Sequence, residues 1–259
     1  MKGHTMKLNR RTMVATGMPG AMAAVTGTRL MANQPFKYEE SGLPSGAAKL
    51  SGSITYNGPV IQPETVPVIK DQSICGEGAR TTNPLRVTDE GLLADCVIQI
   101  HGVQAGKAWA EDFREAKVYQ IDCGFQPRVQ IVWEKADVFV VNLDPILHNI
   151  NAYEIFKGTR RSMFSFSQTR LGQEDRIPLK LRRSNLINLD CNAHGWMEGW
   201  IYTSPTPYFT VTGSDGVFMI DDIPPGQYEL SIWHPVLGEK RGNLAVKPND
   251  DLKYDLVLS

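Results

Sequence analysis

The feature that most limits what this chain can fold into is the brevity of its apolar runs, each stopped within a few residues by Pro, Gly or Asn. Lys49-Leu50-Ser51-Gly52-Ser53-Ile54-Thr55-Tyr56 alternates side chains of opposite character, and Asn57-Gly58-Pro59 then turns the chain. Residues 66–69, 85–87 and 92–100 repeat the pattern, and residues 125–138 read as strand, tight turn, strand. Residues 207–220 predict a hairpin around Asp215-Gly216, continued through Ile223-Pro224-Pro225-Gly226 to Leu230. Residues 111–117 offer at most one helical turn. Period-two patterning in short segments cannot build a helical bundle, and 16 Pro and 23 Gly in 259 residues punctuate strands rather than helices. The predicted class is all-β, a sandwich or a pair of them, with ample chain for a core.

Chemistry concentrates in Cys191-Asn192-Ala193-His194-Gly195-Trp196-Met197, which presents a thiolate, an imidazole and a thioether as Cys-x2-His-x2-Met. A second imidazole, His148, ends the apolar run Val138-Phe139-Val140-Val141-Asn142-Leu143-Asp144-Pro145-Ile146-Leu147. Two His, one Cys and a weak axial Met are the ligands of a mononuclear copper centre. Copper alternates between a softer and a harder ion, which a thiolate and two imidazoles serve together. Three residues of one loop cannot surround an ion, so His148 has to arrive on a different strand. Cys191 has a disulfide half as its alternative reading, and His148, His194 and Met197 taken singly read as core packing. Their coincidence carries the metal reading.

Residues 125–202 resemble the cupredoxin family: strand, turn, apolar strand, Asn-x-Asp, His-Asn, and some forty residues later a Cys-His-Met loop with the short spacing of amicyanin. The resemblance implies a cupredoxin-like Greek-key β-sandwich with one type 1 (blue) copper ion on His148, Cys191, His194 and Met197. It also implies that Asn149 braces the Cys191 loop and that the protein carries single electrons between redox partners. In the turn Glu134-Lys135-Ala136-Asp137, Ala136 stands where the family usually has Gly.

A second resemblance lies outside that segment. Thr-x-x-Asp-Gly-x-Phe at 212–218 and Ile-Pro-Pro-Gly-x-Tyr at 223–228 resemble the carboxypeptidase regulatory-like, or transthyretin-like, β-sandwich module, and residues 52–59 look like its opening strand. The implied layout is a twin-arginine-type signal peptide at 1–32, carried by Arg10-Arg11 and the apolar residues after them, and a linker at 33–48. An N-terminal β region at 49–117, a cupredoxin domain at 118–204 and a regulatory-like region at 205–259 follow, the sandwich being split by the cupredoxin segment. In this layout the whole chain resembles methylamine-utilisation-like proteins, which combine these features in this order. Such a leader predicts a periplasmic protein, and no other stretch has the ~20 apolar residues of a membrane span.

Four Cys are present. With Cys191 on copper, the turn contexts of Cys75 and Cys123 suggest a disulfide between them and leave Cys96 a buried thiol, although a pairing through Cys96 is equally open. Lys and Arg number 27 against 28 Asp and Glu, which argues against a nucleic-acid partner. Arg160, Arg161, Arg170, Arg176, Lys180, Arg182 and Arg183 read either as a solvated strand edge or as a docking face for an acidic redox partner. Trp196 beside a ligand is a candidate electron exit, Trp200 reads as core, and His234 as structural. Five His are too few for a multicopper enzyme, and no phosphate loop, nucleophile elbow or paired-His zinc motif occurs. The expected role is therefore a carrier, not an enzyme. Copper storage or delivery, or a metal-free interaction module with Cys191 in a disulfide, are the other readings these residues permit.

Overall fold

The computed structural model describes residues 36–259, so the stretch 1–32, expected to be a signal peptide, lies outside the described residues. Strands dominate; the helical pieces are one turn at Gln72–Cys75 and a 3-10 turn at Glu111–Phe113. The fold is all-β. The expected helical turn at 111–117 is only half realised, because Glu115–Ile121 is already a strand whose residues alternate between buried and half-buried.

One core is built from both ends of the chain. Leu50, Ile54, Cys96, Ile98 and Ile100 meet Tyr208, Phe218, Ile220, Ile232, Leu244 and Leu256 in a single buried cluster. Two sheets enclose it. In the first, Phe209–Val211 and Gly226–His234 flank Val97–His101, and Gly238–Val246 forms the edge. In the second, Ala48–Tyr56 pairs with Val217–Ile223 on one side and with Asp251–Lys253 and Leu256–Leu258 on the other. The two strands around Asp215-Gly216 are therefore no hairpin: Phe209–Val211 and Val217–Ile223 belong to different sheets. The turn, closed by the Gly216 N–H donating to the Gly213 carbonyl at 3.0 Å, is a corner between layers.

A second core is carried by the segment between. Ala116, Val118, Val138, Val140, Ile150, Ala152, Ile187, Leu189, Cys191, Met197 and Ile201 fill it. One layer orders Glu174–Pro178, Asp137–Asn142, Glu115–Ile121 and Gly124–Gln126; the other orders Thr159–Gln168, His148–Phe156, Leu186–Asp190, Glu198–Ser204 and Val129–Trp133. The tight turn at 134–136 also crosses between layers, its Ala136 N–H donating to the Trp133 carbonyl at 3.0 Å. Ala136 is not among the positive-φ residues, so this turn does not need a glycine there.

Two expected boundaries shift. Strand Glu115–Ile121 runs through the break placed at 117/118, because its alternating face continues unbroken into the second core. The stretch taken as a linker at 33–48 is anchored from Tyr38 onward: Glu39–Glu40 pairs with Ala105–Gly106, the Tyr38 hydroxyl donates to the Lys107 carbonyl at 2.7 Å, and Ala48 opens a strand. A third cluster, Val97, Trp109, Val129, Ile131, Tyr202, Phe209 and Trp233, joins the two sandwiches.

Candidate metal centre

Strand pairing brings the ligand candidates to one end of one sheet. His148 opens strand His148–Phe156, and Cys191 follows directly on Leu186–Asp190. These strands are antiparallel neighbours with Asn151 opposite Asp190, so the start of one lies beside the end of the other. The loop 191–197 then turns back, with the Met197 N–H donating to the His194 carbonyl at 3.0 Å, into strand Glu198–Ser204.

The side chains converge. His148 Nδ1 and His194 Nδ1 lie 3.0 Å apart, and Cys191 Sγ lies 3.9 Å from His194 Nδ1. Cys191 is a free thiol. Metal–nitrogen and metal–thiolate bonds of about 2.0–2.3 Å let one ion touch atoms so spaced. His148 and His194 are fully buried, and Cys191 and Met197 nearly so. Met197 packs in the same cluster as Cys191. The backbone N–H of Asn149 donates to Cys191 Sγ at 3.4 Å, whereas its side-chain amide donates to Ser167 on the neighbouring strand. The brace on the sulfur is thus made by the Asn149 main chain, not by its side chain.

Two carboxylates complete the geometry. Asp144 Oδ2 lies 2.8 Å from His148 Nε2, and Asp71 Oδ2 lies 3.0 Å from His194 Nε2. A carboxylate only accepts, so each Nε2 carries the proton and each Nδ1 presents a lone pair. Two lone pairs facing each other at 3.0 Å repel, and a cation shared between them relieves that repulsion. The donor set fits a metal ion. Burial pushes the His148 imidazole below its ordinary pKa, as does the nearby His194, while Asp144 pulls the other way. The net shift favours the neutral, ligating form.

Asp144 is itself fixed. The Asn142 side-chain oxygen accepts from the Asp144 N–H at 3.0 Å, and the Asp144 carboxylate accepts from the N–H groups of Asp122 and Cys123 at 3.0 and 2.9 Å. Those donors hold positive φ, a cost the carboxylate offsets. Cys123 lies close to Asp144 and His148, but its sulfur is bonded to Cys75 and cannot ligate. Asp144 had a local cue, four residues before His148 within Asn-x-Asp. Asp71 had none, standing 123 residues from its partner.

The remaining candidates sit elsewhere. His234 is fully buried in the other sandwich, its Nδ1 accepting from the N–H groups of Val236 and Leu237, and burial lowers its pKa to about 4. Cys96 is a buried thiol whose pKa burial pushes up to about 12. Trp200 packs against Trp233 between the sandwiches. Trp196 is half-buried, its ring 5.2 Å from that of His194 and its Nε1–H donating to the Cys123 carbonyl at 2.9 Å. In the basic stretch, Arg160 pairs with Asp190, Arg161 with Glu154, and Arg176 with Glu115 and Asp137. Arg182 and Arg183 are exposed and form no salt bridge among the described residues. No helix among the described residues is long and apolar enough to cross a membrane.

No family model matches the chain, and no curated protein matches it. Among solved structures it is similar to a Cu-containing nitrite reductase from Thermus scotoductus SA-01, at 16% identity over 41% of this chain and 25% of that one, TM-score 0.28. It is also similar to amicyanin from Paracoccus versutus, at 13% identity over 38% of this chain and 85% of that one, TM-score 0.29. Reduced auracyanin from Roseiflexus castenholzii aligns at 14% identity over 36% of this chain and 98% of that one, TM-score 0.30. The chain spans a quarter of the length of the nitrite reductase. At these scores the likeness adds nothing to the case made by the side chains themselves.

Proposed function

We propose that this protein is an exported, mononuclear copper electron carrier of the cupredoxin type, fused to a carboxypeptidase regulatory-like sandwich. The carrying observation is the approach of His148 Nδ1, His194 Nδ1 and Cys191 Sγ at 3.0 and 3.9 Å, with both outer ring nitrogens tied to carboxylates. His148, Cys191 and His194 would hold the ion, with the Met197 thioether as a further, weaker ligand, and copper so held would supply a one-electron couple. The chain's own contribution is rigidity and exclusion of water. Strands fix His148 and Cys191, the Asn149 N–H stabilises the thiolate, and the buried setting keeps competing ligands out.

That burial also favours a carrier over a delivery protein, because a site closed on all sides exchanges its metal slowly. Trp196, half-exposed against His194, supports a surface exit for the electron. Arg182 and Arg183 lie near Glu154, six residues and roughly 20 Å along the strand from His148. Their field would speed encounter with an acidic partner rather than form the transfer contact. The Cys75–Cys123 disulfide supports an oxidising compartment such as the periplasm.

The test is optical. Copper(II) added to the purified chain should give an intense thiolate-to-copper charge-transfer band at one ion per chain. Cys191→Ser should abolish the band, and Met197→Leu should keep the copper while shifting the potential. A band that survives Cys191→Ser refutes the proposal.

A further inference from the structure

The loop over His194 is not part of the sandwich that holds the ligands. Asp71 comes from the segment before strand Val97–His101, and it is tied down several times over. Its residue is left-handed at φ 57°, and its carbonyl accepts from the N–H groups of Ile74 and Cys75 at 3.0 and 2.8 Å. The Cys75–Cys123 disulfide bolts this turn to the sandwich that holds the ligand candidates, between strands Glu115–Ile121 and Gly124–Gln126, and Arg80 donates to the Cys75 carbonyl at 2.8 Å and to the carbonyls of Asp122 and Cys123. Val68, Cys75 and Cys123 pack with Ile146 and Trp196 beside the site. Under this cover His194 is fully buried, with Asp71 Oδ2 3.0 Å from Nε2.

From this placement we infer that Asp71 is a positioning residue for the metal centre, contributed by a separate, disulfide-tethered arm, which fixes the His194 tautomer and lowers the copper potential. The inference rests on the copper reading of the site. A carboxylate on the outer nitrogen holds the proton there, leaves Nδ1 as the donor, and makes the imidazole a stronger base. A stronger donor stabilises the harder, oxidised ion more than the reduced one, so the potential falls. His148 receives the same treatment from Asp144 within its own sandwich, so the pair of imidazoles is buttressed from two different parts of the molecule.

Asp71→Gly and Asp71→Asn in the full chain test this, since both residues tolerate the left-handed backbone that Ala would strain. In the metal-free protein, nitrogen-15 imidazole spectra of the wild type should show His194 protonated at Nε2 with a slowly exchanging proton. Asp71→Gly should speed that exchange and admit the second tautomer, with His148 unchanged. In the copper-loaded protein, Asp71→Gly should weaken copper(II) binding ~10–100-fold. If reduced copper loses about tenfold less, the potential rises by about 59 mV. Asp71→Asn, which keeps an acceptor but not the charge, should fall between. A tautomer and a potential that both stay at the wild-type values in Asp71→Gly overturn this role while leaving the copper reading intact. A wild-type chain that takes up no copper overturns both.

Discussion

Glu154 shows how a single buried side chain can hold a loop. It is 1% exposed, and its carboxylate accepts from the backbone N–H groups of Arg182, Arg183 and Ser184 and from Arg161. Burial alone would raise its pKa, but the three N–H groups and the guanidinium outweigh it and hold the value at about 2. A carboxylate depressed in the folded state stabilises above its unfolded pKa, and that stability is lost as pH falls through the folded value. Melting temperature should therefore drop between about pH 4.3 and 2 in the wild type. Glu154→Gln should be less stable at neutral pH by roughly 2 kcal/mol and show a shallower acid limb. His234 acts over a different window. Its pKa near 4, depressed by burial, means that the unfolded chain takes up the proton first, so stability falls as pH drops from about 6.5 toward 4. His234→Asn, whose side-chain oxygen can replace Nδ1 as the acceptor for Val236 and Leu237, should flatten that part of the profile in thermal melts at successive pH values.

Among the elements, strand Ala48–Tyr56 and the disulfide arm carry the sharpest expectations. A Cβ on Gly52 would lie 1.8 Å from the Tyr254 carbonyl oxygen, so Gly52→Ala forces the crossing segment away. The cost should be about 1–3 kcal/mol in denaturant titrations, without loss of the arrangement of His148, Cys191 and His194. The Cys75–Cys123 bond closes a loop of separation 48, so Cys75→Ser with Cys123→Ser should cost up to about 4 kcal/mol. These elements also show what a sequence reveals. The four ligand candidates were legible because a contiguous loop and a strand-end histidine leave a local pattern. The corner at Asp215-Gly216 was misread because turn chemistry specifies that the chain reverses, not which sheet receives it. Asp71 left no trace at all: its role depends on the tethered arm folding across to a residue 123 positions away.

For the whole molecule the decisive feature is the aromatic joint between the sandwiches. Trp109, Tyr202, Phe209 and Trp233 bury one surface shared by both, and Trp233 meets Trp200 and Tyr202 at 5.5 and 5.7 Å. Large aromatics bury 150–250 Å² each, enough to couple the two cores. Unfolding followed by far-ultraviolet circular dichroism and by the proposed copper band should therefore coincide in one transition. Trp233→Ala should separate it into two, the sandwich with the candidate site melting apart from its neighbour. All-β architecture with strand-by-strand alternation was readable from period-two patterning, whereas this joint was not, since its members are scattered from residue 97 to 233.

The strand at Ala48–Tyr56 finds its partner Leu256–Leu258 only after the intervening chain has been made. Every strand of the ligand-bearing sheets lies between Glu115 and Ser204, so those sheets are complete about fifty residues earlier. At ~5–20 residues per second of synthesis, that is an interval of seconds. During it the sandwich that carries His148, Cys191 and His194 can assemble while the outer sandwich is still an open, half-built sheet. A ribosome stalled in that window would display a finished inner module with a sticky unpaired edge beside it, which is the form most exposed to aggregation or proteolysis.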